Sequence, residues 1–156
     1  MRKGPNNRYN LPDKTDQTLP RSKILRGRKN FQRLFEDSRQ SSVLRSPTVN
    51  FRYRVYEDPA EGCLIGFIVK KKLGKAAKRN KIKRLLREVY RTHQHYLSDL
   101  FDRQAIGFHG VFMARHANVS VASLEDDMGR LLQNMREILI NHIDAAKSVK
   151  DSKKDK

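Results

Sequence analysis

Apolar residues recur at helical spacing in two stretches of the first two thirds of the chain. Residues 28–37 predict a short helix, and Phe31, Leu34 and Phe35 form its single apolar edge. The longest helical pattern follows Gly74. Its apolar stripe comprises Ile82, Leu85, Leu86, Val89, His93, Tyr96 and Leu97.

A final helix is predicted from the spacing of Ser123 and Asp126, which resembles a capping box with Asp in place of Glu. The carboxylates of residues 125–127 suit the positive end of its dipole, although such a run also has the chemistry to bind a divalent ion. The buried face comprises Leu124, Met128, Leu131, Leu132, Met135, Ile138 and Leu139.

Strand patterns occupy the remaining apolar segments. Residues 49–56 alternate apolar and polar side chains, which is the period of a half-buried strand. The run 63–69 predicts a more buried strand, and the turn at 58–62 favours a hairpin between the two. Residues 105–115 predict a further strand with an uncertain start. The order of helices and strands indicates a single small α+β domain.

The ends of the chain lack any apolar period. Residues 1–20 predict a flexible basic arm, and residues 143–156 a disordered, lysine-rich tail. The folded α+β domain is therefore expected at residues 21–142.

Composition excludes several classes of protein. The single cysteine, Cys63, cannot form an intramolecular disulfide. The longest apolar run, 63–69, is far shorter than the roughly 20 residues that span a bilayer, and residues 1–20 have no apolar region typical of a secretory signal. We expect a soluble, cytoplasmic protein with no membrane partner.

The charge of the chain is concentrated in one segment. The 156 residues carry a formal net charge of +17. Between residues 62 and 98 there are 11 Lys or Arg side chains and one carboxylate, Glu88, which gives 11 − 1 = +10. Solubilising surfaces normally mix both signs, so a patch of one sign predicts a nucleic-acid partner.

A helical wheel places Lys83, Arg84, Arg87 and Arg91 opposite the apolar stripe, with Asn80 on the same side. One helix therefore buries aliphatic residues and presents a line of positive charge, here named the cationic ridge. The cationic ridge comprises Arg79, Lys83, Arg84, Arg87 and Arg91.

The side chains needed for protein-based catalysis are not arranged in a recognisable pattern. His93 and His95 are two residues apart and point to different faces of a helix. His109 and His116 flank a strand end, but their spacing matches no catalytic signature. No glycine-rich phosphate-binding loop is present. The residues alone indicate an RNA or DNA binder without catalytic groups of its own.

Residues 66–88 resemble the signature of the bacterial ribonuclease P protein component. That family has a strand, a lysine-rich turn ending in glycine, and an Arg-Asn-Arg-like core that opens a basic helix; here the core is residues 79–81, Arg-Asn-Lys. The flanks at residues 19–35 and 111–115 are also similar, so the resemblance covers about residues 19–140. Lys81 departs from the family's commoner arginine and lacks its planar fork.

The resemblance implies a four-stranded sheet with three helices and a left-handed βαβ crossover. It implies a subunit of a ribonucleoprotein endonuclease that removes the 5′ leader from precursor tRNA. The partners implied are the catalytic RNA subunit, which hydrolyses the substrate with bound Mg²⁺, and the leader. The protein would lower the Mg²⁺ demand and broaden substrate use, with no catalytic residue of its own and no metal ligand that the sequence identifies.

The residues expected to contact the catalytic RNA share positive charge or hydrogen-bonding capacity. They are Lys70, Lys71, Lys72, Lys78, Arg79, Asn80, Lys81, Lys83, Arg84, Arg87 and Arg91. Asn80 has two alternatives, to cap the helix or to hydrogen-bond a base or 2′-hydroxyl. Phe31, Phe35 and Tyr53 are candidates to stack on leader bases, and packing in the core is the alternative for each, favoured for Phe35.

Three other functions remain open from the sequence. A ribosomal or other structural RNA-binding protein has similar charge and size. A protein-only nuclease would use His109 and His116. A DNA-binding architectural protein would not distinguish precursor tRNA from its mature form.

Overall fold

The computed structural model describes residues 17–36 and 39–154, with side chains to residue 148. Four helices and four strands make up the described fold. In chain order they are α1 (Arg28–Glu36), β1 (Ser42–Leu44), β2 (Val49–Tyr56), β3 (Cys63–Ile68), α2 (Ala76–His93), α3 (His95–Asp102), β4 (Gly107–Ala114) and α4 (Val121–Lys154). Within these residues, no helix is long and apolar enough to cross a membrane.

The strands form one mixed sheet in the order β1-β2-β4-β3. β4 pairs antiparallel with β2 and parallel with β3. The predicted hairpin between residues 49–56 and 63–69 is therefore wrong, because β4 lies between the two strands. β4 is the most completely buried strand, with Phe108, Val111 and Phe112 fully buried, as expected for a strand paired on both edges and covered on both faces.

The two faces of the sheet carry cores of different size. On one face, Phe51, Phe108 and Phe112 pack under α2, α3 and α4 in the main core. On the other face, which we name the α1 face, Leu34 packs on Val111 in a much smaller cluster. The α+β class predicted from the sequence is confirmed, and β3 and β4 form the expected parallel pair, joined through α2 and α3. The hand of that crossover stays a prediction.

The single long helix predicted after Gly74 is divided at Gln94, which adds a fourth helix to the expected three. The Gln94 side chain donates to the carbonyl oxygens of Thr18 (2.8 Å) and Arg91 (3.0 Å). The Thr92 hydroxyl donates to the carbonyl of Val89 at 3.0 Å. Side chains that bond to backbone carbonyls in this way compete with the regular helical hydrogen bonds and favour a bend at this point.

The folded part of the chain extends beyond both predicted domain boundaries, residues 21 and 142. Residues 17–20, assigned to the arm, are fixed by the Thr18 contact and by Leu19, which packs on the main core. At the other end, α4 continues as a helix to Lys154, through the segment predicted to be disordered, and Ile143 is buried in its first part. The rest of the predicted arm, residues 1–16, lies outside the described residues, as does the end of the predicted first helix at Asp37.

The start of α4 differs from the predicted capping box at Ser123. The helix begins at Val121, and the Ser123 backbone N–H donates to the Ser120 hydroxyl at 3.1 Å. Ser120 therefore caps the helix, three residues earlier than expected. The acidic run is also partly structural, because buried Asp127 accepts hydrogen bonds from the backbone N–H and the hydroxyl of Thr48.

A polar clamp holds α1 to the sheet. Arg33 on α1 pairs with both carboxylate oxygens of Glu61, at 2.9 and 3.0 Å. His109 on β4 is 1% exposed, and its Nε2 lies 2.9 Å from the Glu61 carbonyl oxygen, to which it donates. Burial lowers the pKa of His109, so the clamp contains a neutral imidazole at neutral pH.

We predict that stability falls as the pH drops from about 7 to 5, the range around the ordinary histidine pKa of about 6.5. In that range His109 takes up a proton in the unfolded chain but not in the folded protein, because burial lowers its pKa there. Lowering the pH therefore favours unfolding. His109→Gln should flatten the dependence of the unfolding free energy on pH, as measured by urea denaturation. Equal slopes in the wild type and in His109→Gln would contradict the burial of a neutral His109.

We also predict that Gly110→Ala destabilises the fold by about 2–3 kcal/mol, a typical cost of overpacking a core. A Cβ at this position would lie 2.8 Å from Cε1 of the buried Phe51 ring. Gly129→Ala in α4 is the matched control, because a Cβ there meets nothing within 4 Å. The control should gain about 0.5–1 kcal/mol from helix propensity in the same denaturation experiment, and similar stabilities for the two variants would contradict the packing of β4.

Candidate nucleic-acid interface

Positive charge gathers at the end of the sheet where the parallel strands β3 and β4 both finish. Immediately after β3, a 3₁₀ turn exposes Lys70, Lys71 and Lys72, which we name the lysine turn. The turn closes at Gly74, whose φ of +147° is unfavourable for residues with a side chain. The sequence therefore brings three lysines and the start of α2 together at one corner of the molecule.

The N-terminus of α2 lacks the features that usually neutralise a helix end. Lys75 stands at the N-cap position without a side-chain hydrogen bond, and the first turn contains no acidic residue. The positive end of the helix dipole is then added to the charge of the surrounding lysines. This arrangement attracts phosphate groups.

Along α2 the cationic ridge lies opposite the buried stripe, as the helical pattern predicts. Its members Lys83, Arg84 and Arg87 are exposed. Arg79 is partly buried, and its Nε has no hydrogen-bond partner in the described structure. Asn80 is the fifth residue of α2, so it does not cap the helix, and its exposed side chain leaves contact with RNA as the remaining alternative.

Arg91 differs from the rest of the cationic ridge because its guanidinium is already engaged. Nε and Nη2 contact the Glu88 carboxylate at 3.0 and 2.6 Å, and Nη1 donates to the Gln17 carbonyl at 3.2 Å. The Arg91 guanidinium lowers the pKa of Glu88 in return. The structure thus gives Arg91 a role in holding residues 17–20, and among the described residues no carboxylate offsets the charge of the other ridge members in the same way.

A second surface lies on the α1 face of the sheet, at the same end as the lysine turn. Ile68, Met113 and Asn50 are neighbours across three strands and form a row that is only partly buried. Beside it, Phe35 on α1 is 38% exposed, and the Arg52 guanidinium lies 5.2 Å from its ring centre. We name this surface the sheet cleft; it combines an apolar floor with an aromatic ring and a cation.

The three aromatic residues predicted to stack on bases have different positions. Phe35 borders the sheet cleft, and Phe31 is partly buried in the small cluster beneath α1. Tyr53 is only 8% exposed and stacks on Phe51 and Phe108 in the main core, on the opposite face of the sheet. A base cannot stack on a ring in that position, so for Tyr53 core packing replaces the predicted contact.

Sequence reasoning missed the polar residues of β2 that face α1. Arg52 and Arg54 alternate with the core residues of the strand, and this alternation alone indicates only that they lie on its polar side. In the structure the Arg54 and Arg33 guanidiniums lie 4.4 and 5.0 Å from the ring centre of Tyr56. The available signal was the spacing of Arg52, Arg54 and Tyr56 at every second position, which places two cations and an aromatic ring on one face of the strand.

The structure does not assemble a protein active site from the histidines considered above. His109 is buried under the clamp, whereas His116 is exposed beyond the end of β4. The five residue steps of strand from His109 to Ala114 alone span about 17 Å, so the two rings lie well beyond hydrogen-bond distance. Within the residues that the structure covers, no group of three or more His, Cys, Asp or Glu side chains is placed to hold a metal ion.

Comparisons with known proteins agree with this geometry. The family model described as Ribonuclease P matches residues 19–136. The ribonuclease P protein component of Dictyoglomus thermophilum is 40% identical over 82 residues, which cover 53% of this chain and 64% of the relative. The same component of Syntrophus aciditrophicus is 35% identical over 77 residues, covering 49% and 60%. The matched segment therefore spans less than two thirds of these relatives.

Solved structures show the same fold. The RNase P protein from Thermotoga maritima has a TM-score of 0.55 and 25% identity, covering 71% of this chain and 96% of that one. The RNase P protein of Staphylococcus aureus has a TM-score of 0.54 at 20% identity, covering 72% and 94%. The family match includes the lysine turn, the whole of α2 and the sheet cleft, and the chain therefore belongs to the ribonuclease P protein family.

Proposed function

We propose that this chain is the protein subunit of a ribonuclease P ribonucleoprotein, which removes the 5′ leader from precursor tRNA. The observation that carries the proposal is the unneutralised positive surface formed by the lysine turn, the N-terminus of α2 and the exposed cationic ridge. It occurs in a chain whose described residues bring no catalytic histidine pair or metal-ligand cluster together. Such a surface suits the phosphates of a folded RNA, and the proposed partner is the catalytic RNA subunit.

The binding energy in this proposal comes mainly from phosphate contacts. Each cation that neutralises a phosphate releases condensed counterions, which favours binding at low salt. The free protein bears the mutual repulsion of these cations, and the RNA relieves it. The rigid α2 fixes the spacing of the charges, because Leu86, Val89 and Tyr90 on its other side are buried in the main core.

The sheet cleft is the proposed contact for the single-stranded leader. Phe35 offers an exposed ring for stacking, and Arg52 beside it offers a cation for the backbone. The floor row ends at Ile68, two residues before the lysine turn begins, so a leader in the cleft continues directly onto positive charge. The two surfaces can therefore hold substrate and catalytic RNA at one end of the sheet.

Hydrolysis in this proposal takes place in the RNA subunit, with Mg²⁺ bound mainly by RNA. Among the described residues, no three or more His, Cys, Asp or Glu side chains are grouped so that they could hold a resident metal ion. The protein contributes by reducing repulsion between two polyanions and by holding the leader. This contribution lowers the Mg²⁺ that the reaction needs and broadens the range of substrates.

We predict that affinity for a bacterial catalytic RNA falls steeply with salt, and that Lys83→Gln or Arg87→Gln each make the log–log slope shallower by about 0.7–0.9. Both side chains are exposed members of the cationic ridge. The measurement is filter binding over a series of salt concentrations. The control Arg103→Gln removes an exposed cation that follows α3 at the other end of the sheet, and it should leave the slope unchanged. A salt-insensitive affinity, or an equal effect of the control, would contradict the assignment.

We predict that Phe35→Ala weakens binding of precursor tRNA to the assembled ribonucleoprotein by about 1 kcal/mol or more, the scale of one stacked base. Binding of mature tRNA, which has no leader, should not change. The control Tyr53→Phe alters a ring buried on the opposite face and should leave both affinities unchanged. If Phe35→Ala reduced both affinities equally, or neither, the leader would not lie in the sheet cleft.

A further inference from the structure

An open groove lies between α2 and the segment that leads from β4 into α4. Its volume is about 1230 Å³, larger than the roughly 300–1,000 Å³ of a pocket for a small molecule. Residues 117–121 form one side, and the first half of α2 forms the other. The size and open shape suit part of a macromolecule.

The floor of this α2–α4 groove is apolar, with Ile82 and Leu85 from α2 and Val119 from the opposite segment. At its rim, Val121 is 50% exposed. Within the described residues, Val121 and Phe35 are the only large hydrophobic side chains that are exposed. Phe35 borders the proposed leader contact, whereas the function proposed above gives Val121 no role.

Charge is distributed unevenly between the two sides of the groove. Lys78, Lys81 and Arg84 line the α2 side, and no carboxylate is among the lining residues. The first carboxylates of α4, Glu125 and Asp126, come beyond Val121 and outside the lining. An occupant therefore meets positive charge along α2, an apolar surface between the sides, and polar groups at Asn118 and Ser120.

We propose that the α2–α4 groove binds one or more unstacked nucleotides of the catalytic RNA. The phosphates lie on the lysine and arginine side of α2, and the base contacts Val121, Val119 and the aliphatic floor. A nucleotide combines an anionic phosphate with the apolar face of a base. The groove offers the matching surfaces side by side, with cations along α2 and an apolar floor next to them. This inference rests on the proposed function. The cationic ridge recognises phosphates alone, whereas the groove would also select an unpaired nucleotide.

The first test compares Val121→Asn with Ala122→Asn in the full-length chain. Both changes place an uncharged polar side chain in the first turn of α4, and Ala122 does not line the groove. Val121→Asn should weaken binding to a bacterial catalytic RNA by about tenfold at every salt concentration, because it removes base contact. The salt slope should not change, because no charge is altered. The control should bind as the wild type does.

The outcomes separate this inference from the proposed function. Equal binding by Val121→Asn and Ala122→Asn overturns the groove site and leaves the proposed function standing. Failure of the wild-type chain to bind the catalytic RNA overturns both. A dimer of the free wild-type chain that Val121→Asn dissociates would assign the groove to a second copy of the protein, and that result also overturns the RNA site.

The second test locates the nucleotide directly. The native thiol is first removed by Cys63→Ser, and Val121→Cys then carries an azidophenacyl photocrosslinker in the assembled complex. Ala122→Cys with the same group is the control. Crosslinks from position 121 confined to unpaired nucleotides of the catalytic RNA support the site. Crosslinks to paired helices, to the tRNA substrate, or equally from both positions overturn it.

Discussion

The anchoring of α2 on the sheet is the interaction on which the rest of this protein depends. A segment with a net charge of +10 repels itself, and only a strong apolar contact can hold it in one rigid shape. Leu86, Val89 and Tyr90 provide that contact in the main core. The repulsion remains unrelieved in the free protein and becomes a source of affinity when a polyanion binds. The same helix thus joins the stability of the fold to the proposed recognition of RNA.

The order of the strands explains why the candidate surfaces are close together. Because β3 and β4 are parallel, the lysine turn, the start of α2 and the start of α4 all follow strand ends at one end of the sheet. The partly buried row of the sheet cleft reaches that same end through Ile68 and Met113. If β2 and β3 instead formed a hairpin, β3 and β4 would not be neighbours and their ends would not need to lie side by side. The topology therefore concentrates the proposed substrate and RNA contacts at one end of a small domain.

Local patterns in the sequence predicted most elements, and long-range contacts decided the features that they missed. The helical spacing of Ile82, Leu86 and Val89 correctly placed the ridge, since period alone determines opposite faces of a helix. The predicted pairing of β2 with β3 was wrong, because the apolar residues of a strand show that it is buried but do not show which strands lie beside it. Tyr53 and Arg52 illustrate the same limit. Alternation puts them on opposite faces of β2, but only the packing of helices shows that the Tyr53 face is the main core and the Arg52 face borders the cleft.

The central claim is that the chain assists an RNA catalyst and breaks no bond itself. The most direct measurement is cleavage of a precursor tRNA at low Mg²⁺ by a bacterial catalytic RNA, with and without the purified chain, alongside the chain alone. The account predicts 5′-leader removal when both components are present, little with the RNA alone, and none with the protein alone. Cleavage by the RNA-free protein, or a catalytic RNA whose rate the protein does not change, would contradict it.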